Sequence, residues 1–507
     1  MLEPASLFTD GAILCRKKEI SVFGRADSPV RVTLKDRNGR VLAAAECPAE
    51  YGRFCALLEP QEVQTGCVLT METDAETAEA RDVAIGEVFL AGGQSNMELA
   101  LCNAEEGPEL IRTHRDDLLR FYNVPREAVP GPAHDRAVAE TRWHRITPGE
   151  GGENSAVAYF FARKLREEQP EVPVGIIGCY WGGTSIACWM EEKVLRSCGE
   201  GNRILAAYEK ACAGRTMESW QREDKAFWDA MNVWNEAVAA YQKAHPGAAW
   251  KEVEDACGKA PWNPPPGPGS PFRPAGLAET MVREAVPAAL TGILYYQGEN
   301  DAGVTEHYDR LMTLLIRSWR GLFRDESLPF LFVQLPLWLD RDAEDCRNWA
   351  RLRLDQARVR DTVLETGMIC LLDQGEYGNI HPVCKRPVGE RLAELAGNML
   401  RGKGETSPRA LGLKADGEQL AVSLTAPVCA RDGKEPALLE IAGEDGRYVP
   451  AGAEIRDREL ILRAAEISCP VQARYAWMDW SDRVNLFGVN GLPLEPFELS
   501  CQNPRKP

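Results

Sequence analysis

The chain has no apolar run near the ~20 residues that a membrane-crossing helix requires. It has no excess of positive charge either: 59 Lys and Arg against 76 Asp and Glu leave a net charge of −17. A surface of that sign repels DNA, RNA and anionic membranes, so neither nucleic acid nor a membrane is expected as a partner. The opening MLEPASLFTDGAILCRKKEI lacks a basic stretch followed by an apolar one, so no signal peptide is expected. The sixteen cysteines include no C-x-x-C pair, and several, such as Cys179 and Cys370, lie in apolar runs. That is the pattern of free core thiols in a reducing compartment, and the expected location is the cytoplasm. With six histidines and no His-rich or Asp/His cluster at ligand spacing, no metal or other cofactor is expected. There is no internal repeat or low-complexity tract, and nothing here speaks to the oligomeric state.

What is present is an ordinary globular composition, 44% hydrophobic and 27% charged, over 507 residues. A chain of that length exceeds one core and suggests about three domains. Residues 1–82 alternate apolar and polar in EISVFGRA, VRVTLKD and CVLTMETD, with a hairpin signal at Asn38-Gly39, and predict a small antiparallel sandwich. Residues 83–404 alternate apolar runs with helical patterns. GEVFLAGG, LRFYNV, VPVGIIGCY, LTGILYYQG, LPFLFVQLP and GMICLLDQG read as buried parallel strands. SAVAYFFARKLREE, YDRLMTLLIRSWRGLF and KRPVGERLAELAGNML read as helices between them. The fold class is therefore α/β, a doubly wound parallel sheet whose sites lie at the carboxyl ends of the strands. An insertion at about 195–275 carries Phe227, Met231, Trp234 and Val238 at helical spacing, which suits packing. It ends in PWNPPPGPGSPFRP, where proline density forbids regular structure. That stretch is either a rigid connector or a pocket wall, with Arg273 offered to an anionic ligand. Residues 405–507 return to short strands, forming a separate β-rich domain or packing with the N-terminal one.

The stretch FLAGGQSNMELAL places Ser95 between a buried strand and a helix, with two glycines just before it. Glycines at 92 and 93 permit a tight turn, and the N–H groups at a helix start favour negative charge. The same residues also suit a plain N-cap serine. Among the histidines, His381 follows the last strand of the α/β segment and precedes its last helix, the edge where Ser95 also lies. A histidine there is a competent general base, or a loop residue with a structural bond. CYWGGTSIACW and YYQGENDAG leave the same edge, the first with Gly182-Gly183 and the second with Asn300. Two such donors beside the Ser95 N–H would form an oxyanion hole.

These four blocks, in this order, resemble the SGNH hydrolase superfamily. More narrowly, GQSNME, WGGTSIACW, PFRPAGLAETM, YYQGEND, SWR, FLFVQLP and NIHPVCKRPVGERLA resemble the sialate O-acetylesterase family of carbohydrate esterases. LFTDGAIL and RYAWMDW...LFGVNGLPLEPF are similar to that family's β regions. The resemblance implies a flavodoxin-like sheet flanked by the two β-rich regions. It implies Ser95 as nucleophile, His381 as base, and Gly183 and Asn300 as oxyanion donors. Gln94, Gln297 and Glu299 would line the site. The superfamily's usual aspartate three residues before the histidine is here Gly378, so Asp373, Asn379 or a backbone carbonyl is left to orient His381. The implied partner is an O-acetylated sugar or oligosaccharide, first O-acetylated sialic acid and otherwise acetylated xylan, xyloglucan or mannan pieces. A carbohydrate-binding protein that keeps the fold without turnover is the reading from another class.

Overall fold

The computed structural model describes residues 1–341, 343–402 and 404–501, and they fall into two compact units. The first comprises Met1–Asn300 and Arg310–Phe330, and the second Asp301–Asp309 and Leu331–Pro507. Their contents form a mixed α/β architecture with several sheets. All sixteen cysteines are unpaired thiols, and among the described residues no helix is long and apolar enough to cross a membrane.

In the first unit, β1 (Val30–Lys35) pairs antiparallel with β2 (Val41–Cys47) and β3 (Gln64–Glu72), and β3 pairs with β4 (Thr77–Gly93). The expected boundary at 82/83 therefore falls inside one 17-residue strand. The first part of β4 shows the alternating burial of a half-covered strand, and Val88 to Gly93 are all buried. That change tracks the sequence, where TAEARDVAI gives way to the continuous apolar run VFLAGG. This second part of β4 lies in a parallel set with β5 (Asp116–Asn123), β6 (Val174–Tyr180) and β7 (Gly292–Tyr296), in the order β5-β6-β4-β7. His144–Ile146 runs antiparallel on the outer side of β5. Helix Ala156–Glu168 starts where Ser155 accepts the Ala158 N–H at 3.1 Å, a side-chain cap on an otherwise unsatisfied donor. The insertion forms three helices, Gly199–Ala211, Met217–Ala244 and Trp250–Cys257. Of its four spaced apolar residues, Met231 and Val238 are buried and Phe227 and Trp234 half-buried.

In the second unit, the helices Asn348–Thr362 and Arg386–Arg401 accompany the strand Thr366–Ile369. The Asp479 carboxylate accepts the first N–H groups of the former helix, from Trp349 at 2.9 Å and Ala350 at 3.1 Å, which satisfies donors that have no partner within the helix. Among the described residues, the strands from Ala410 to Ser500 pair only with one another. Their core holds Leu420, Val422, Leu439, Leu460 and Tyr475 together with Leu337, Cys370 and Leu372. Residues 405–501 thus share a core with part of the segment that precedes them.

Candidate active site

Three strands of the first unit end in register. Gly93 on β4 stands opposite Tyr180 on β6 and Tyr296 on β7. The chain then leaves each strand at the same edge. The Gln94 N–H donates to the Tyr296 carbonyl at 3.0 Å, and the Trp181 N–H donates to the Gly93 carbonyl at 3.1 Å. Gly93 has φ 134°, and a Cβ there would collide with the Tyr296 carbonyl, so this turn accepts only glycine.

The residue after that turn sets the loops. Gln94 is buried, and its side-chain oxygen accepts from Gln297 Nε2 at 3.1 Å, Asn300 N at 3.3 Å and Gly298 N at 3.4 Å. Gln297 is also buried and donates to the Thr184 carbonyl at 3.2 Å. Two glutamines thus tie the loops after β4, β6 and β7 together. Glu299, buried as well, accepts from Asn96 Nδ2 at 2.6 Å. Sequence reasoning placed Gln94, Gln297 and Glu299 on the lining. In the structure all three are buried and hydrogen-bonded between the loops, as polar groups at this depth need partners.

On this support α1 (Ser95–Glu98) begins with Ser95 half-buried at its first position, and Gln94 makes no side-chain cap bond to it. Glu98, at the end of the same turn, accepts the Gly182 N–H and pairs with Arg126. Gly182 packs so near the serine that a Cβ on it would lie 3.3 Å from Ser95 Cβ. The next residue, Gly183, has φ 73°, and its N–H meets no acceptor among the described residues. Asn300 is exposed, so its amide faces solvent at the same edge as Ser95. Sequence reasoning missed Glu98. Its signal was a carboxylate three residues after the serine, one helical turn on, between apolar neighbours.

Arg273 Nη2 donates to Glu279 at 3.1 Å and to the Ala128 carbonyl at 3.4 Å. The proline-rich segment before it lies over Gly183: a Cβ there would collide with the Trp262 ring and come within 3.1 Å of Phe272.

His381, Asn379 and Asp373 belong to the second unit. His381 is exposed, yet the protein crowded around it, and after that the charge of Lys385, lower its pKa from the usual imidazole value to about 4. The ring is accordingly neutral at neutral pH, as a general base must be. Asn379 Oδ1 accepts the His381 backbone N–H at 3.0 Å, and its Nδ2 donates to Glu376 at 2.7 Å. Asn379 thus orders the turn carrying His381. Asp373 is engaged by Arg391, which donates to its two oxygens at 2.7 and 2.6 Å, and Gln374 adds a third bond at 3.0 Å.

A family profile described as carbohydrate esterase, sialic acid-specific acetylesterase matches residues 275–395. The chain is 24% identical to sialate O-acetylesterase of Rattus norvegicus, with 94% of this chain and 89% of that protein covered. It is 22% identical to the sialate O-acetylesterase of Homo sapiens over 90% of this chain and 83% of that one. A solved carbohydrate acetylesterase from Xanthomonas citri superposes with a TM-score of 0.76 at 27% identity, covering 98% of this chain and 99% of that chain. With these matches the chain is a carbohydrate esterase, and so a carboxylic ester hydrolase. More narrowly, it is a carbohydrate O-acetylesterase of the sialate O-acetylesterase type.

Proposed function

We propose that this esterase is an SGNH-type serine enzyme with a flavodoxin-like catalytic sheet, that Ser95 is its nucleophile and His381 its general base, and that O-acetylated sialic acid is its substrate. The observation that carries the reading is the set of three loops at one strand edge, with Ser95 at its tip and two donors beside it, the unbonded Gly183 N–H and the exposed Asn300 amide. The neutral imidazole of His381 and the names of the relatives add to it.

In this mechanism Ser95 Oγ attacks the acetyl carbonyl as its proton passes to His381. The carbonyl oxygen takes on negative charge and is met by the N–H groups of Ser95 and Gly183 and by the Asn300 amide. Collapse breaks the bond to the sugar oxygen, which receives the proton from His381, and an acetyl-serine remains. Water then attacks that ester with His381 as base, releasing acetate and restoring the serine.

The test is Ser95→Ala in a folded, purified variant. Loss of the nucleophile removes the covalent route and leaves roughly 10³–10⁴-fold over water from binding and the oxyanion donors. Turnover near that of the unchanged enzyme would reject Ser95. A panel of O-acetylated sialic acid against acetylated xylan, xyloglucan and mannan oligosaccharides decides the substrate.

A further inference from the structure

Trp262 is 43% exposed, in contrast to tryptophans that donate their indole N–H inside the protein, such as Trp189 to Thr184 Oγ1 at 2.9 Å and Trp319 to the Trp189 carbonyl at 3.0 Å. The indole N–H of Trp262 has no acceptor among the described residues. Its ring is held at its sides by two edge-on neighbours, Phe272 at 5.9 Å and Phe227 at 6.2 Å between centroids. The segment bearing it is anchored by the insertion helices: Trp220 Nε1 donates to the Pro265 carbonyl at 3.1 Å, and the Tyr208 hydroxyl donates to the Gly267 carbonyl at 3.0 Å. Prolines at 261, 264, 265 and 266 restrict the rest of that segment, so little order is lost on binding. The ring rests on Gly183, whose neighbour Gly182 touches Ser95.

Trp262 thus presents, one residue from the nucleophile's neighbour, a restrained and partly exposed aromatic ring with a donor that no protein group uses among the described residues. Its chemistry is complementary to a pyranose, whose axial C–H groups form an apolar face and whose hydroxyls accept hydrogen bonds. We propose that Trp262 is a sugar-binding subsite: the pyranose bearing the acetyl ester lies against the indole face while its carbonyl points toward Gly183. This rests on the assignment of Ser95 and Gly183 given above. It makes the helical insertion the part of the chain that selects sugar esters over simple ones.

The experiment compares kcat/KM for an acetylated sugar, as O-acetylated sialic acid and as an acetylated xylo-oligosaccharide, with kcat/KM for vinyl acetate, which has no ring. Trp262→Ala is expected to lower the ratio of sugar ester to vinyl acetate about tenfold or more, mainly through KM, for whichever sugar the enzyme accepts. Trp262→Tyr should recover most of it, since a ring with a polar edge is restored. A ratio that stays unchanged, whether both activities fall or neither does, overturns the subsite. Should Trp262→Ala not fold, the Trp262→Phe variant is titrated with the deacetylated sugar. Binding should then perturb tryptophan fluorescence less than in the unchanged enzyme, and an equal perturbation overturns the proposal. Ser95→Ala in parallel separates the two claims, because an active Ser95→Ala enzyme rejects the nucleophile whatever Trp262 does.

Discussion

Gln94 and Gln297 are 203 positions apart in sequence and share a hydrogen bond of 3.1 Å. Both are buried, and through them the loop that carries the serine, the loop that carries Gly183 and the loop that carries Asn300 are fixed to one another. The pair is a positioning device, and replacing one member should disturb geometry more than binding. Gln94→Ala is expected to lower kcat roughly tenfold to a hundredfold, the scale of a displacement of about 1 Å at a reacting centre, with a smaller change in KM. Steady-state kinetics with vinyl acetate check this. An unchanged kcat in the folded variant would show that the loops hold their places without Gln94.

Asn300 presents its amide to solvent beside that network. As an oxyanion donor it acts chiefly when charge develops. Asn300→Ala should therefore cost about 10²–10³ in kcat with little change in KM. If kcat is retained, Asn300 has a turn-forming role only.

Glu98 holds the Gly182 N–H, and so fixes the direction of the following Gly183 N–H. Glu98→Ala is expected to lower kcat roughly tenfold to a hundredfold by loosening that loop. Glu98→Gln keeps an acceptor oxygen and should recover much of the loss. Equal losses in the two variants would point to the ion pair with Arg126 instead.

Asp373 is bonded at both oxygens to Arg391, with both side chains largely covered. Asp373→Asn should therefore appear first as a lower Tm, because it leaves the Arg391 charge without its counter-ion. Its kcat should stay within about tenfold, a barrier change of ~1.4 kcal/mol. A fall of about 10³ or more with the fold intact by circular dichroism would make Asp373 the acid that supports the imidazolium, as the buried acid of serine proteases does.

The acid limb of kcat/KM reports the base of the free enzyme. Crowding and Lys385 lower the pKa of His381 toward about 4, while water at its exposed face works against that shift, so the limb is expected between about 4 and 6.5. Activity should hold as pH falls through 7 and be lost below that limb, as the ring becomes cationic. A limb above 6.5 in a profile with vinyl acetate would mean that a negative group raises the histidine instead.

Much of this was written in the chain order. The run VFLAGG had to be a buried strand, because its continuous apolar character leaves no polar face; the structure carries that strand through both glycines of the expected turn, and only Gly93, its last residue, has a positive φ. The residues at the strand ends, Ser95, Gly183 and Asn300, follow from that same punctuation of apolar runs by polar loops. Periodicity also gave the helices Ala156–Glu168 and Arg386–Arg401, since apolar residues recur there at the helical interval. Only the tertiary structure decided what the polar side chains of those loops do. Gln94, Gln297 and Glu299 stand out in a linear reading, but that they bind the loops to one another is seen only with their partners, more than a hundred positions away. The partners of Arg273, Glu279 and the Ala128 carbonyl, and of Asp373, Arg391, are likewise seen only in the folded chain. The reason is common to all of them: apolar pattern is a local property of the backbone, whereas the partner of a hydrogen bond or an ion pair exists only after folding brings distant segments within about 3 Å.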